Sequence, residues 1–171
     1  DWRAKFTARE KSPKNLVAEA DLASQQAILE FILARYPDHQ FLGEEDLCRA
    51  GSAPYRWIID PLDGTSNYVH GFPYYAVSIG VECDGVMLAG AVYDPNRDEL
   101  FSAARGAGAT RNGERIEVSS PRELSQALCM ASLPMQAHRT DLQVQRFLKL
   151  LEAAQHVQRT GSAALNLCGV A

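Results

Sequence analysis

The 171-residue chain has no Cys-x-x-C pair. Its four cysteines, Cys48, Cys83, Cys129 and Cys168, stand far apart, a poor pattern for zinc and unlike a disulfide framework, so a reducing cytoplasm is the expected compartment. It lacks any apolar run approaching the length of a membrane span, and no charged opening precedes a short apolar stretch. No membrane contact is therefore expected. It also lacks a basic surplus: the formal net charge is -4, which argues against nucleic-acid binding through a wholly basic surface. Internal repeats and low-complexity tracts are missing too. What the chain does have is 46% hydrophobic residues, enough for a sizeable core in one domain, or one domain and part of another.

Ala20, Ala27, Ile28, Phe31 and Ile32 recur at helical spacing, and Tyr36-Pro37 closes that pattern. Phe41-Leu42 is a short apolar step before the acidic Gly43-Glu44-Glu45-Asp46. Residues 55–59 and 76–83 read as strands, and Asp84-Gly85 is a hairpin turn into a strand over 86–93. Asp94-Pro95-Asn96 turns the chain before a strand over 99–103, and Asn112-Gly113 marks a hairpin leading to Ile116 and Val118. After Pro121 the rhythm changes. Residues 128–131 read as a buried strand, Leu142, Phe147, Leu148 and Leu151 suit an amphipathic helix, and a short strand near Val157 precedes a helix opening at Gly161-Ser162-Ala163-Ala164. The expected class is α/β, an α+β layered sandwich. An antiparallel sheet flanked by helices fills residues 1–122, and a smaller α/β region begins over 123–171. The last helical pattern is still running at Ala171, so the expectation is a chain truncated at its C-terminus.

One stretch asks for more than a fold. In "IIDPLDGTSNYVHGFP", residues 58–73, a strand ends in Asp60-Pro61-Leu62-Asp63-Gly64-Thr65 although acidic residues are poor strand formers. Two carboxylates three residues apart, across a proline-stiffened turn, can point into one cleft. Like charges that close repel, and a divalent cation resolves the conflict. Hard oxygen donors suit Mg²⁺, which commonly leaves positions open for water and phosphate. Gly64 allows close backbone approach, and Thr65-Ser66-Asn67 has the chemistry of a helix start, whose free N–H groups attract phosphate. The plainer alternative is an Asx-type turn with solvated acids before a capped helix. The length of the motif, with Gly43-Glu44-Glu45 upstream, favours a metal–phosphate site.

The segment "WIIDPLDGTSNYVHGFPYYAVSIG" resembles the first signature of the inositol monophosphatase family, within the superfamily of Mg²⁺-dependent, lithium-sensitive phosphatases. The likeness continues in "LVAEAD" (16–21), "FLGEED" (41–46) and "GSAALNLCGVA" (161–171), so it spans nearly the whole chain. It implies that Glu44, Asp60, Asp63 and the Leu62 carbonyl bind metal, with two or three Mg²⁺ ions and Asp60 bridging. It further implies that Glu44 and Thr65 hold the attacking water, with Asp21 hydrogen-bonded to Thr65, and that the backbone N–H groups of Gly64 and Thr65 hold phosphate. Asp63 would also meet the substrate's hydroxyls, joined by Gly161, Ser162 and Ala163 on the far wall. Lys11 matches a basic position near a metal-binding loop. Two departures stand out: Ala18 replaces a threonine of many members, and the family's Trp-Asp segment, which carries a further metal ligand, is expected beyond Ala171.

The reading that follows is an enzyme, a Mg²⁺-dependent phosphomonoesterase for inositol 1-phosphate or a similar small polyol phosphate. It would use metal-activated water and form no phospho-enzyme, in a cytoplasmic homodimer without nucleic-acid partners. Histidinol phosphate, fructose 1,6-bisphosphate or an adenosine bisphosphate are alternative substrates, and a non-catalytic regulatory protein keeping the fold is the alternative class. Among the other residues, His70 suits helix-end chemistry; His39, His138 and His156 read as surface residues. Cys168 reads as packing, Lys14 and Arg56 as solvated charges, and Gly106-x-Gly108 as a turn.

Overall fold

The computed structural model describes residues 8–12, 15–44, 48–134 and 136–171, the first two strands by their backbone alone. β1 (Ala8–Ser12) and β2 (Asn15–Ala18) form an antiparallel pair that the sequence reading does not anticipate. Lys11 falls in β1, and its side chain, like Lys14, Glu45 and Asp46, lies outside the described residues.

The long helix is α1 (Glu19–Leu33), as the spacing predicts, but the buried stripe differs from the expected one. Asp21, Gln25 and Ile32 are buried, whereas Ala27 and Phe31 face outward, Phe31 with the Arg35 guanidinium 4.3 Å above its ring. The apolar half of the stripe packs on the sheet: Ile32, Phe41 and Ile59 form the core, flanked by Ile28, Leu29, Leu33, Trp57 and Ile79. Burying each of those large side chains contributes about 1.5–3 kcal/mol. Its polar half, Asp21 and Gln25, occupies the first two turns.

The sheet has eight strands in the order β10-β9-β8-β7-β6-β5-β3-β4. They are β3 (Gln40–Gly43), β4 (Cys48–Arg49), β5 (Tyr55–Asp63), β6 (Ala76–Cys83), β7 (Val86–Asp94), β8 (Glu99–Ala104), β9 (Gly108–Arg111) and β10 (Glu114–Ile116). All neighbours are antiparallel except β3 and β5. Both predicted hairpins form, with Asp84 and Gly85, and Asn112 and Gly113, all at positive φ, as a type I′ turn requires. β10 ends at Ile116, so Val118 lies outside the strand expected to hold it and is 71% exposed. A five-residue helix, α2 (Thr65–Val69), follows β5.

A separate pair, β11 (Leu128–Met130) and β12 (His156–Gln158), runs parallel and is joined through α3 (Leu142–Ala153). No residue of α3 is buried. α4 (Ala163–Cys168) then crosses back to pack against β6 and β7. Among the described residues no helix is long and apolar enough to cross a membrane.

Candidate active site

β5 carries the acidic motif through a bulge. Asp60 pairs with Ser78 and Asp63 with Ala76, so three steps along β5 match two along β6. In a regular strand, residues three apart point to opposite faces; the extra residue at Pro61-Leu62 cancels that inversion and brings both carboxylates to one cavity. Proline has no N–H to lose from the ladder, which suits it to a bulge in a central strand. The parallel register of β3 on β5 sets Gly43 opposite Ile59, so Glu44 follows directly beside Asp60.

Three carboxylates, Glu44, Asp60 and Asp63, thus border the same cavity. Asp60 Oδ1 accepts a hydrogen bond from the Leu62 N–H at 3.2 Å. That bond favours its charged form, but burial, the Glu44 charge and the Asp63 charge outweigh it, pushing the Asp60 pKa up to about 7. Among the described residues no three His, Cys, Asp or Glu side chains converge as a ready-made ion cage. The donors nevertheless fit a hard cation: they are all oxygens, and Asp60 holds a like-charge conflict that a cation would relieve.

Asp63 is held elsewhere as well. Its Oδ2 accepts from Ser162 Oγ at 2.5 Å and from the Ala164 N–H at 2.7 Å, and its Oδ1 from the Ala163 N–H at 3.2 Å. The carboxylate caps α4 from 99 to 101 residues away. Ser162 is fully buried, with its Oγ also accepting from the Leu165 N–H at 3.2 Å. Its hydroxyl therefore supports Asp63 and does not itself line the cavity, unlike Gly161 and Ala163.

Thr65 opens α2 behind Gly64, whose φ of 96° is left-handed and whose missing Cβ would stand 3.0 Å from the Tyr74 carbonyl. Only glycine fits there without strain. The Thr65 hydroxyl shares its proton between Asp21 Oδ1 at 3.3 Å and the Leu62 carbonyl at 3.1 Å. Asp21, 1% exposed, is the acid that α1 delivers on its buried face. The first intrahelical bond of α2 runs from the Tyr68 N–H to the Gly64 carbonyl, leaving the N–H groups before it without helix partners.

Glu44, Asp60, Leu62, Asp63, Gly64 and Thr65 line a cavity of about 570 Å³. Its far wall includes Ser132, Leu133, Arg159 and Thr160, which the sequence reading does not single out; Asn67, which it treats only as part of a helix start, lines the cavity on the motif side. No spacing rule links them to the motif. The tie is a tertiary contact: Asn67 Nδ2 donates to the Thr160 carbonyl at 2.8 Å.

The family model of the inositol monophosphatase family matches residues 1–171. Inositol monophosphatase 3 of Solanum lycopersicum is 41% identical over 167 residues, covering 94% of this chain and 62% of its own length. The protein named Nus factor SuhB of Pasteurella multocida is 40% identical over 163 residues, covering 94% and 61%. The chain thus spans less than two thirds of the length of these relatives. Among solved structures, the extragenic suppressor protein suhB of Bartonella henselae superposes with a TM-score of 0.89 at 34% identity, over 98% of this chain and 65% of that one. An IMPase/NADP phosphatase complexed with Mg²⁺ and phosphate gives a TM-score of 0.79 at 25% identity, over 95% and 61%. Matched by the family model over its whole length and by relatives at 40% identity or more, the chain belongs to the inositol monophosphatase family.

Proposed function

We propose that the protein is a Mg²⁺-dependent phosphomonoesterase acting on a small polyol phosphate, inositol 1-phosphate first among them. The observation that carries this reading is the crowding of Glu44 and Asp63 onto Asp60, in a cavity that also contains Gly64 and Thr65. Glu44, Asp60, Asp63 and the Leu62 carbonyl would hold Mg²⁺, which when bound neutralises phosphate charge and activates water.

The chain's own residues do the rest. Glu44, exposed at the end of β3, accepts the proton of the attacking water. Thr65 spends its only proton on Asp21 or Leu62, so its oxygen is left to accept a hydrogen bond from that water and orient it. Backbone N–H groups of Gly64 and Thr65 hold phosphate oxygens. Asp63, Gly161 and Ala163 face the leaving alcohol, with Ser162 acting through Asp63.

Two or three Mg²⁺ ions and a homodimer belong to this reading through the family resemblance, a cytoplasmic setting through the cysteine spacing, and the absence of a nucleic-acid partner through the net charge of -4. The IMPase/NADP phosphatase neighbour favours a second reading in which the accepted alcohol is broader than a polyol. The relative named a Nus factor favours a third, a regulatory role that keeps the fold. Phosphate release from inositol 1-phosphate, fructose 1,6-bisphosphate, histidinol phosphate and NADP, with Mg²⁺ and with chelator, separates the three. The expected result is Mg²⁺-dependent turnover led by inositol 1-phosphate. Preference for NADP supports the second reading, and no turnover of any ester leaves the third.

A further inference from the structure

Asn67 spends both of its side-chain protons on backbone carbonyls, one seven residues on and one 93 residues away. Nδ2 donates to the Tyr74 carbonyl at 2.7 Å and to the Thr160 carbonyl at 2.8 Å. The next residue, Gly161, has a φ of 90°, and a Cβ there would stand 2.8 Å from Asn67 Nδ2 and 2.9 Å from its Oδ1. The left-handed backbone and the close approach both demand glycine, so these residues make a fitted contact. Immediately beyond it, Ser162, Ala163 and Ala164 bond to Asp63.

The far wall is therefore fastened to the motif at two points, Asn67 and Asp63. They are not equivalent. The Asp63 carboxylate is the group assigned to cation and substrate, so its bonds to the wall must be shared with ligands. Asn67 has no proton left to offer a ligand, and its grip on Thr160 is independent of what the cavity holds. A second link runs in parallel: the Tyr74 and Thr160 hydroxyls both reach Asn166 Oδ1 in α4. The peptides that Asn67 bridges are thus braced from behind.

We infer that Asn67 is a positioning residue that clamps the two walls of the cavity, fixing Gly161 and Ala163 against the Asp60–Asp63 edge. This rests on the phosphatase reading for its kinetic consequence, and on geometry alone for the clamp. A displaced wall misplaces the leaving alcohol, and a misplacement of about 1 Å can cost about 10²-fold in rate. An ester whose alcohol makes no hydroxyl contact with that wall should suffer far less.

The test compares Asn67→Ala and Asn67→Asp with the unaltered protein on inositol 1-phosphate and p-nitrophenyl phosphate, with Mg²⁺. Asn67→Asp keeps the size but sets a carboxylate against two carbonyls, so it should be at least as harmful as Asn67→Ala. In both, kcat/KM for inositol 1-phosphate should fall about 10²-fold and that for p-nitrophenyl phosphate only a few-fold. Loss of folded protein lowers both equally and cannot change their ratio. Hydrogen exchange gives a readout independent of turnover: the amides of Ala163, Ala164 and Leu165 should exchange faster while the β6–β7 ladder stays as protected as before. An unchanged substrate ratio, unaltered exchange at those amides, or an Asn67→Asp variant that behaves like the unaltered protein overturns the clamp. If the unaltered protein cleaves neither ester, the phosphatase reading falls and the exchange data still decide the clamp.

Discussion

Replacing Asp63 with alanine should weaken the fold itself, before any ligand is considered. The carboxylate accepts three hydrogen bonds, from the Ser162 hydroxyl and the Ala163 and Ala164 N–H groups, at the start of α4. A hydrogen bond to a charged group contributes about 1.5–3 kcal/mol, and a negative charge at a helix N-terminus about 0.3–1 kcal/mol. The Ser162 hydroxyl is fully buried and would lose its acceptor, whereas the amide of exposed Ala163 can turn to water. Counting the buried bond in full and discounting the others gives about 3–4 kcal/mol, a large share of the roughly 5–15 kcal/mol that holds a domain together. Asp63→Asn keeps one acceptor oxygen but turns an NH₂ toward N–H donors, so it should fall between the two. The assay is urea unfolding in excess chelator, where lost cation binding cannot contribute. An unfolding free energy for Asp63→Ala within about 1 kcal/mol of that of the unaltered protein would refute the anchoring of α4 by this carboxylate.

Asp60→Asn should do the opposite in chelator. The Asp60 pKa is raised from 3.8 to about 7, so its cost to the fold is absent at low pH, grows between about pH 4 and 7, and is complete above that. The variant's advantage in Tm should widen over that range and reverse when Mg²⁺ is added; a gap that stays constant with pH contradicts the crowding. Gly64→Ala should cost about 1–3 kcal/mol from the left-handed backbone, with further crowding against the Tyr74 carbonyl and Tyr75 Cβ, read as a lower Tm. Thr65→Ala should lower kcat by orders of magnitude but stability by only about 1 kcal/mol. A collapsed Tm with unchanged turnover per folded molecule would make Thr65 a structural cap.

How far the sequence speaks depends on how local the cause is. Asp84-Gly85 and Asn112-Gly113 announce their hairpins because positive φ is a property of the turn residues themselves. β1 and β4 carry no such signal: "AREKS" has no apolar alternation, and pairing alone makes it a strand. His39 reads as a surface residue, yet its ring stacks 4.7 Å from Tyr36 and 4.8 Å from Tyr55, and its Nδ1 accepts from Trp57 Nε1 at 2.9 Å. That arrangement exists only because β3 lies parallel to β5. Arg56 likewise reads as solvated and instead pairs with Glu82 at 2.6 Å, its cross-strand neighbour on β6.

The same distinction divides the candidate site. Glu44, Asp60, Asp63, Gly64 and Thr65 are legible because the chemistry they suggest needs them close together, and adjacent strand ends supply that closeness cheaply. Strand alternation alone nonetheless misplaces them, since it sends Asp60 and Asp63 to opposite faces. Pro61 is the residue that resolves this. A proline inside a central strand cannot donate to the ladder, so its presence there already calls for a bulge, and a bulge restores the shared face. The far wall has no counterpart to Pro61. Asn67 and Gly161 fit one another across 94 positions of chain, and neither carries any local irregularity that only the other explains. An asparagine in a helix's first turn and a glycine before a helix cap are each ordinary, so their joint meaning emerges only when the backbone brings Thr160 to Asn67.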